Sequence, residues 1–100
     1  MHARASTFEG PPDRIDEGLR YMREQILPTA FREDEGFKGA IALADRQSGK
    51  MLTITFWESE EAMRATEEEA NRLRSDIAQA GGETIAAVER YEVGLFEVES

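Results

Sequence analysis

Two apolar runs, residues 40–44 and 51–57, stand either side of a polar break that ends in Ser48-Gly49. Their β-branched and aromatic content, with a glycine free to take positive φ between them, predicts a β-hairpin. The second run closes on Trp57, and Ser59 follows as an N-cap. Glu60 and Glu61 then fall in a first helical turn, where the helix dipole favours anions. From Gly36 to Met63 the chain therefore reads as strand, turn, strand and helix start.

Residues 1–8 alternate small or apolar with polar side chains and predict a strand. Gly10-Pro11-Pro12 ends it, and proline suits a first helical turn, where its missing N–H leaves no bond unmade. Ile15, Leu19, Met22 and Ile26 then recur at intervals of 4, 3 and 4, one apolar stripe along a helix. Gly18 weakens that helix and Pro28 interrupts its bonding. Because Leu27 and Phe31 continue the stripe, the pattern predicts a kink at Pro28 and a helix that runs on to a glycine stop at Gly36. A second helix, from about 60 to 80, carries Ala62, Met63, Thr66, Ala70, Leu73 and Ile77 on one face. Its other face, including Arg72, Arg74 and Asp76, is densely charged and reads as solvated, and Gly81-Gly82 ends the helix. From Thr84 to Val98 alternation returns, through Ile85, Ala87, Tyr91, Val93 and Leu95. That predicts a strand far longer than the mean of roughly 5–6 residues.

The order β-α-β-β-α-β is the ferredoxin-like pattern of an α+β fold. Right-handed crossovers place both helices on one face of a four-stranded antiparallel sheet. Residues 1–100 read as one domain.

Composition narrows the function. The net charge is −9, with 21 acids against 12 bases, which disfavours nucleic acid and anionic membrane surfaces, since phosphate binding rests on basic patches. No apolar run approaches the length of a membrane span, and the N-terminal residues lack the apolar core of a signal peptide, so the expectation is a cytoplasmic protein. Without cysteine, disulfides, thiol catalysis and cysteine metal sites are excluded. No phosphate-binding glycine loop, paired-histidine spacing or serine elbow occurs, and no cofactor is expected.

The pieces Gly36-Phe37-x-Gly39, Asp45-x-x-Ser48-Gly49 and Trp57-Glu58-Ser59-Glu60-Glu61-Ala62 resemble the antibiotic-biosynthesis-monooxygenase-like members of the dimeric α/β-barrel superfamily. The resemblance implies a homodimer whose sheets pack face to face as a barrel, with a pocket between sheet and helices. It also implies activities such as cofactor-independent oxygenation of polycyclic aromatic substrates, or haem degradation. Trp57 matches a tryptophan at the end of the third strand in the quinone-forming members. Thr53 stands where those members carry asparagine, and Met63 where they carry tyrosine. The haem-degrading members use a histidine late in the second helix; here the only histidine is His2.

These considerations select the candidate residues. Trp57, with Thr53, Met63 and Tyr91, is a candidate substrate-binding position; a large aromatic that merely closes the core is the commoner role. Tyr91 alternates onto the opposite face from Arg90 and reads as core, its hydroxyl reaching an edge. His2 is the one side chain able to do acid–base work near neutrality, and it shares a strand face with Arg4; both are candidate catalytic residues. Arg4, Ser6, Arg90 and Glu92 are polar positions within strands. They read either as an Arg–Glu pair between the first and last strands or as the polar lining of a pocket.

Function then divides two ways. One reading is a small oxygenase that binds an aromatic or polyketide-like substrate; the other is a ligand-binding or structural homodimer without catalysis. Dimerisation follows from the sheet itself. Ile41 and Leu43 oppose Ala40, Ala42 and Ala44, and Leu52, Ile54 and Phe56 oppose Met51, Thr53, Thr55 and Trp57. Neither set carries charge, so the face away from the helices needs a cover, which a second copy can supply. Ala42 is expected on that face, and the long last strand is expected to cross onto the partner.

Overall fold

The computed structural model describes residues 1–99. Four strands, β1 (His2–Glu9), β2 (Phe37–Ala44), β3 (Lys50–Trp57) and β4 (Thr84–Glu92), form one antiparallel sheet in the order β2-β3-β1-β4. Helix α1 (Ile15–Tyr21) follows a 3₁₀ turn at Pro12–Arg14 and continues as a π-helical segment at Met22–Ile26. Helices α2 (Glu60–Arg64) and α3 (Glu67–Gly81) replace the single second helix that periodicity predicts. This is the ferredoxin-like α+β arrangement, with the helices against one face of the sheet.

The hairpin is as its residues require. Gly49 takes φ 85°, and the Asp45 carboxylate accepts from the Gln47 N–H at 3.0 Å. Ser59 caps α2, its Oγ accepting from the Ala62 N–H at 3.1 Å. Gly36 does not serve as a left-handed helix stop. Its backbone lies so close to α2 that a β-carbon there would collide with the side chain of Ala62.

Three local expectations are corrected. First, α1 does not kink at Pro28 and run on to Gly36. The Leu27 N–H already reaches back five residues, to the Met22 carbonyl at 2.7 Å, and the last helical bond runs from the Ala30 N–H to the Ile26 carbonyl. Pro28, lacking an N–H, ends the regular bonding. Phe31 then turns to φ 56° and drives its ring into the core. Second, the second helix breaks at Ala65–Thr66, where the Thr66 hydroxyl donates to the Met63 carbonyl at 2.8 Å. Third, β4 ends at Glu92 rather than Val98. Among the described residues its neighbour is β1, and past Glu92 the Val93 N–H donates to the Met1 carbonyl at 2.9 Å.

Register sorts the two faces. Ala40 and Ala42 pair with Thr55 and Thr53 and share the helix face, so Ala42 is not on the outer face. Ile41, Leu43, Leu52, Ile54 and Phe56 make up the outer face, where Ile41 and Leu43 are about half exposed. Phe96 rests edge-on against Phe56, ring centroids 5.3 Å apart. Two buried clusters lie under the helices. Phe8, Met51, Ile77 and Ala78 form one; Phe31, Trp57, Met63 and Ala70 form the other. Among the described residues no helix is long and apolar enough to cross a membrane.

Replacing Ser59 with alanine removes the α2 cap and is expected to cost about 1 kcal/mol in urea melts. An unchanged midpoint would show that α2 does not depend on it.

Candidate functional site

A cavity of about 300 Å³ opens between the two buried clusters. Its floor is the helix face of the sheet: Arg4 and Ser6 of β1, Ala40 and Ala42 of β2, Thr53 and Thr55 of β3. Its roof is the apolar stripe of α1 and its continuation, including Leu19, Met22 and Ile26, together with Ala70, Leu73, Arg74 and Ile77 of α3. Phe31 and Phe37 close one end. Small side chains on β2 and hydroxyls on β3 create this space, because a Leu or Ile at the same positions would fill it. Phe31 bounds the cavity from the left-handed region, which bulky residues rarely adopt. Such strain concentrates at functional sites.

Arg4 is the most constrained group in the site, with only 2% of its surface exposed. It donates to the Met63 carbonyl at 3.0 Å, to the Thr66 hydroxyl at 3.2 Å and to Glu67 at 3.3 Å. Its guanidinium also lies 5.3 Å from the centre of the Trp57 ring and 5.7 Å from that of Phe31. Burial pushes its pKa down, and Glu67 opposes that shift. Glu67 receives a bidentate grip from Arg90, at 2.6 and 2.9 Å. Hydrogen bonding from Arg90 holds the Glu67 carboxyl below the ordinary glutamate value, against the opposing effect of burial. The strand-to-strand Arg–Glu pair expected between β1 and β4 is therefore replaced. Arg4 and Arg90 sit opposite one another, and both reach up to a carboxylate on α3.

The proposed site residues separate in space. Arg4 and Thr53 line the cavity. Trp57 and Met63 do not. Both are fully buried beside it, Trp57 edge-on to Phe31 and tilted against Phe37 at 5.0 and 5.3 Å, with its indole N–H donating to the Thr55 hydroxyl at 2.9 Å. Trp57 thus braces the cavity wall from behind. His2 is outside the lining, with Nε2 3.8 Å from Glu60 and Nδ1 buried without a partner among the described residues. Tyr91 is not core. It lies on the outer face, half exposed, its hydroxyl donating to Glu89 at 2.8 Å, because the pairing of Ala3 with both Phe56 and Tyr91 puts it opposite the helices.

Arg74 is the residue that sequence reasoning missed. It reads as part of the charged outer face of the second helix, yet it is 94% buried and lines the cavity. The signal was its spacing: Arg74 stands four residues after Ala70 and three before Ile77, squarely on the apolar stripe. Arg23 also lines the cavity from an exposed position. Among the described residues the lining includes no carboxylate, imidazole or phenol, and no group of three His, Cys, Asp or Glu side chains converges on a metal site.

Known proteins resemble this chain at two levels. No family model matches the sequence. An uncharacterized protein of Mycobacterium tuberculosis, Rv2557, is 34% identical over 93 residues, which are 93% of this chain and 41% of the relative. The chain therefore spans about two-fifths of the curated relatives it matches. Among solved structures, the heme-degrader MhuD of M. tuberculosis, determined with two hemes bound in its active site, superposes at a TM-score of 0.72 with 22% identity, over 98% of this chain and all of MhuD. The monooxygenase ActVA-Orf6 of Streptomyces coelicolor, in complex with nanaomycin D, follows at 0.67 and 17%, over 98% and 92% of the two chains. A dimeric ferredoxin-like protein from an uncultured marine organism gives 0.61 at 11%, over 98% and 93%. These likenesses establish the fold over nearly the whole chain.

Protonating Glu67 would leave Arg4 and Arg90 without their shared anion. A carboxyl held below its unfolded value stabilises the fold above that value, near 4.5, and loses the contribution as pH falls through the folded value. Below about pH 4.5 the parent is therefore expected to lose more stability than Glu67→Gln, which is expected to be weaker than the parent at neutral pH. Parallel acid limbs for the two proteins in urea titrations would exclude this role.

Proposed function

We propose that this chain is a member of the antibiotic-biosynthesis-monooxygenase-like group and that its cavity binds a small aromatic or polyketide-like molecule. The observation that carries the reading is the cavity itself: preformed, mostly apolar, of a size for a flat organic ligand, with a few polar groups at fixed points. The nanaomycin complex of ActVA-Orf6 supports the same substrate class on the same fold.

The chemistry proposed is oxygenation without metal or flavin. An acidic C–H of the bound substrate ionises, and the carbanion passes electrons to dioxygen. One oxygen atom stays on the substrate as a carbonyl and the other leaves as water. Arg4 and Arg74 favour this by stabilising negative charge in a site of low dielectric. No base among the described residues lines the cavity, so the proton departs to solvent, and the reaction suits a substrate acidic enough to ionise beside two guanidiniums. That same lack of a base favours the second reading, a binding protein that does not catalyse. Trp57 and Met63 act in either case by packing the wall; His2 is assigned no step.

Flat aromatics are expected to raise the melting temperature in proportion to occupancy, since they bind only the folded state. Anthrone-like compounds among them are expected to drive stoichiometric oxygen uptake. Stabilisation without oxygen uptake selects the binding reading, and no stabilisation by any flat aromatic rejects the cavity as the site.

The working unit proposed is a homodimer built on the outer sheet face. Ile41, Leu43, Leu52, Ile54 and Phe56 form an apolar surface there, and Phe96 of the C-terminal segment packs on it against Phe56. Two-fold contact of this face with itself covers it in both copies, and the dimeric ferredoxin-like neighbour supports that assembly. Light scattering is expected to give a dimer for the parent and a folded monomer for Leu43→Glu. A monomeric parent at micromolar concentration would refute the assembly.

A further inference from the structure

Two arginines, Arg4 and Arg74, are buried among the described residues. Acids outnumber bases by 21 to 12, and Arg4, Arg14, Arg46, Arg64 and Arg90 each have a carboxylate within 4 Å. Arg74 has none among the described residues, although it is more buried than all of these except Arg4. Its guanidinium donates to the Ser6 hydroxyl at 3.4 Å and to the side-chain carbonyl of Asn71, both neutral acceptors. Glu67 is the carboxylate that both Arg4 and Arg90 contact, and its oxygens already accept from those two. Burying a guanidinium without an anion in contact is costly, whereas an exposed arginine without one keeps its hydration.

The position of that charge matters as much as its isolation. Arg74 belongs to the cavity roof and Ser6 to its floor. Ser6 is paired in register with Thr53, so two hydroxyls stand side by side beneath the guanidinium. Ser6 accepts from Arg74 and keeps its own proton to donate. A cation and two hydroxyl donors therefore converge in a mostly apolar chamber, where Arg4 is engaged by Met63, Thr66 and Glu67 and Arg23 lines the wall from an exposed position. Burial, foremost, and the neighbouring Arg4 push the Arg74 pKa down, and Glu67 opposes them.

The geometry points to a ligand with a flat apolar body and one carboxylate, seated with the carboxylate on Arg74, Ser6 and Thr53 and the body between the aliphatic roof and the small residues of β2. The ligand supplies the anion that the chain withholds, and the guanidinium fork matches a carboxylate two-to-two. This inference rests on the cavity reading proposed above and adds the charge of the ligand and the residues that read it.

The test compares 2-naphthoate with its neutral isostere 2-naphthamide, by titration calorimetry on the parent, Arg74→Met and Arg23→Gln. The parent is expected to prefer the carboxylate by about tenfold or more, the scale of a buried charge-assisted pair. Arg74→Met is expected to abolish that preference while binding the amide as the parent does, and Arg23→Gln to keep it. If Arg74→Met does not fold, Arg74→Lys retains the charge without the fork and is expected to reduce the preference several-fold. Equal affinity of the parent for both compounds would overturn the carboxylate site and leave the cavity reading standing. Binding of neither would overturn both. A preference lost in Arg23→Gln but kept in the Arg74 variants would place the anion at Arg23 instead and likewise refute the assignment.

Discussion

A cation on the central strand holds this structure together. Arg4 projects from β1 into the helix layer, where a side chain of that length must find partners or cost several kcal/mol in lost hydration. It takes the Met63 carbonyl, the Thr66 hydroxyl and Glu67, and it lies against the rings of Trp57 and Phe31. Each contact fixes a different part of the fold. The first two stabilise the break between α2 and α3, since a continuous helix would bind that carbonyl internally. Glu67 ties β4 to α3 through Arg90. The rings position the segment after α1. An apolar residue at position 4 would leave Thr66, Glu67 and Arg90 to rearrange together.

Strand order and hairpin were legible in the residues because they depend on short-range rules: alternation, a turn glycine and a capping serine. What the residues hid depends on partners distant in sequence. The π-helical turn and the left-handed Phe31 arise because the chain must leave the helix at Pro28 and still deliver a ring to Trp57. The break at Thr66 reflects a guanidinium 62 residues away. β4 pairs with β1 as far as His2 with Glu92, so its extent is set by the neighbouring strand and not by the alternation through Val93 and Leu95. Periodicity within one segment carries none of this information.

The site was legible in part for the same reason. Arg4 stood out as a charge within an apolar strand, and Thr53 through the family resemblance. Trp57 was placed near the cavity but on its far wall, since spacing locates a residue on a face and does not say which neighbour covers it. Arg74 was obscured by its surroundings: Glu67, Glu68, Glu69, Arg72 and Asp76 make the helix look charged throughout. A helical wheel separates it from them, because the stripe through Ala70 and Ile77 passes through position 74. A charge lying on an apolar stripe carries more information than the same charge in a run.

The cavity and the proposed dimer face are two consequences of one alternation. On β2, alanines point to the helices and Ile41 and Leu43 point away; on β3, Thr53 and Thr55 point to the helices and Leu52, Ile54 and Phe56 point away. Small and hydroxylated side chains inside leave a space that α1 and α3 roof without filling. Large aliphatic side chains outside make a surface that water alone covers poorly. Shifting either strand by one residue would exchange the two sets, packing the cavity with Ile and Leu and giving the outer face alanine and threonine. The same slip would remove both the cavity and the apolar outer surface. In this chain, therefore, the binding chamber and the proposed assembly depend on the single register that pairs Ala42 with Thr53.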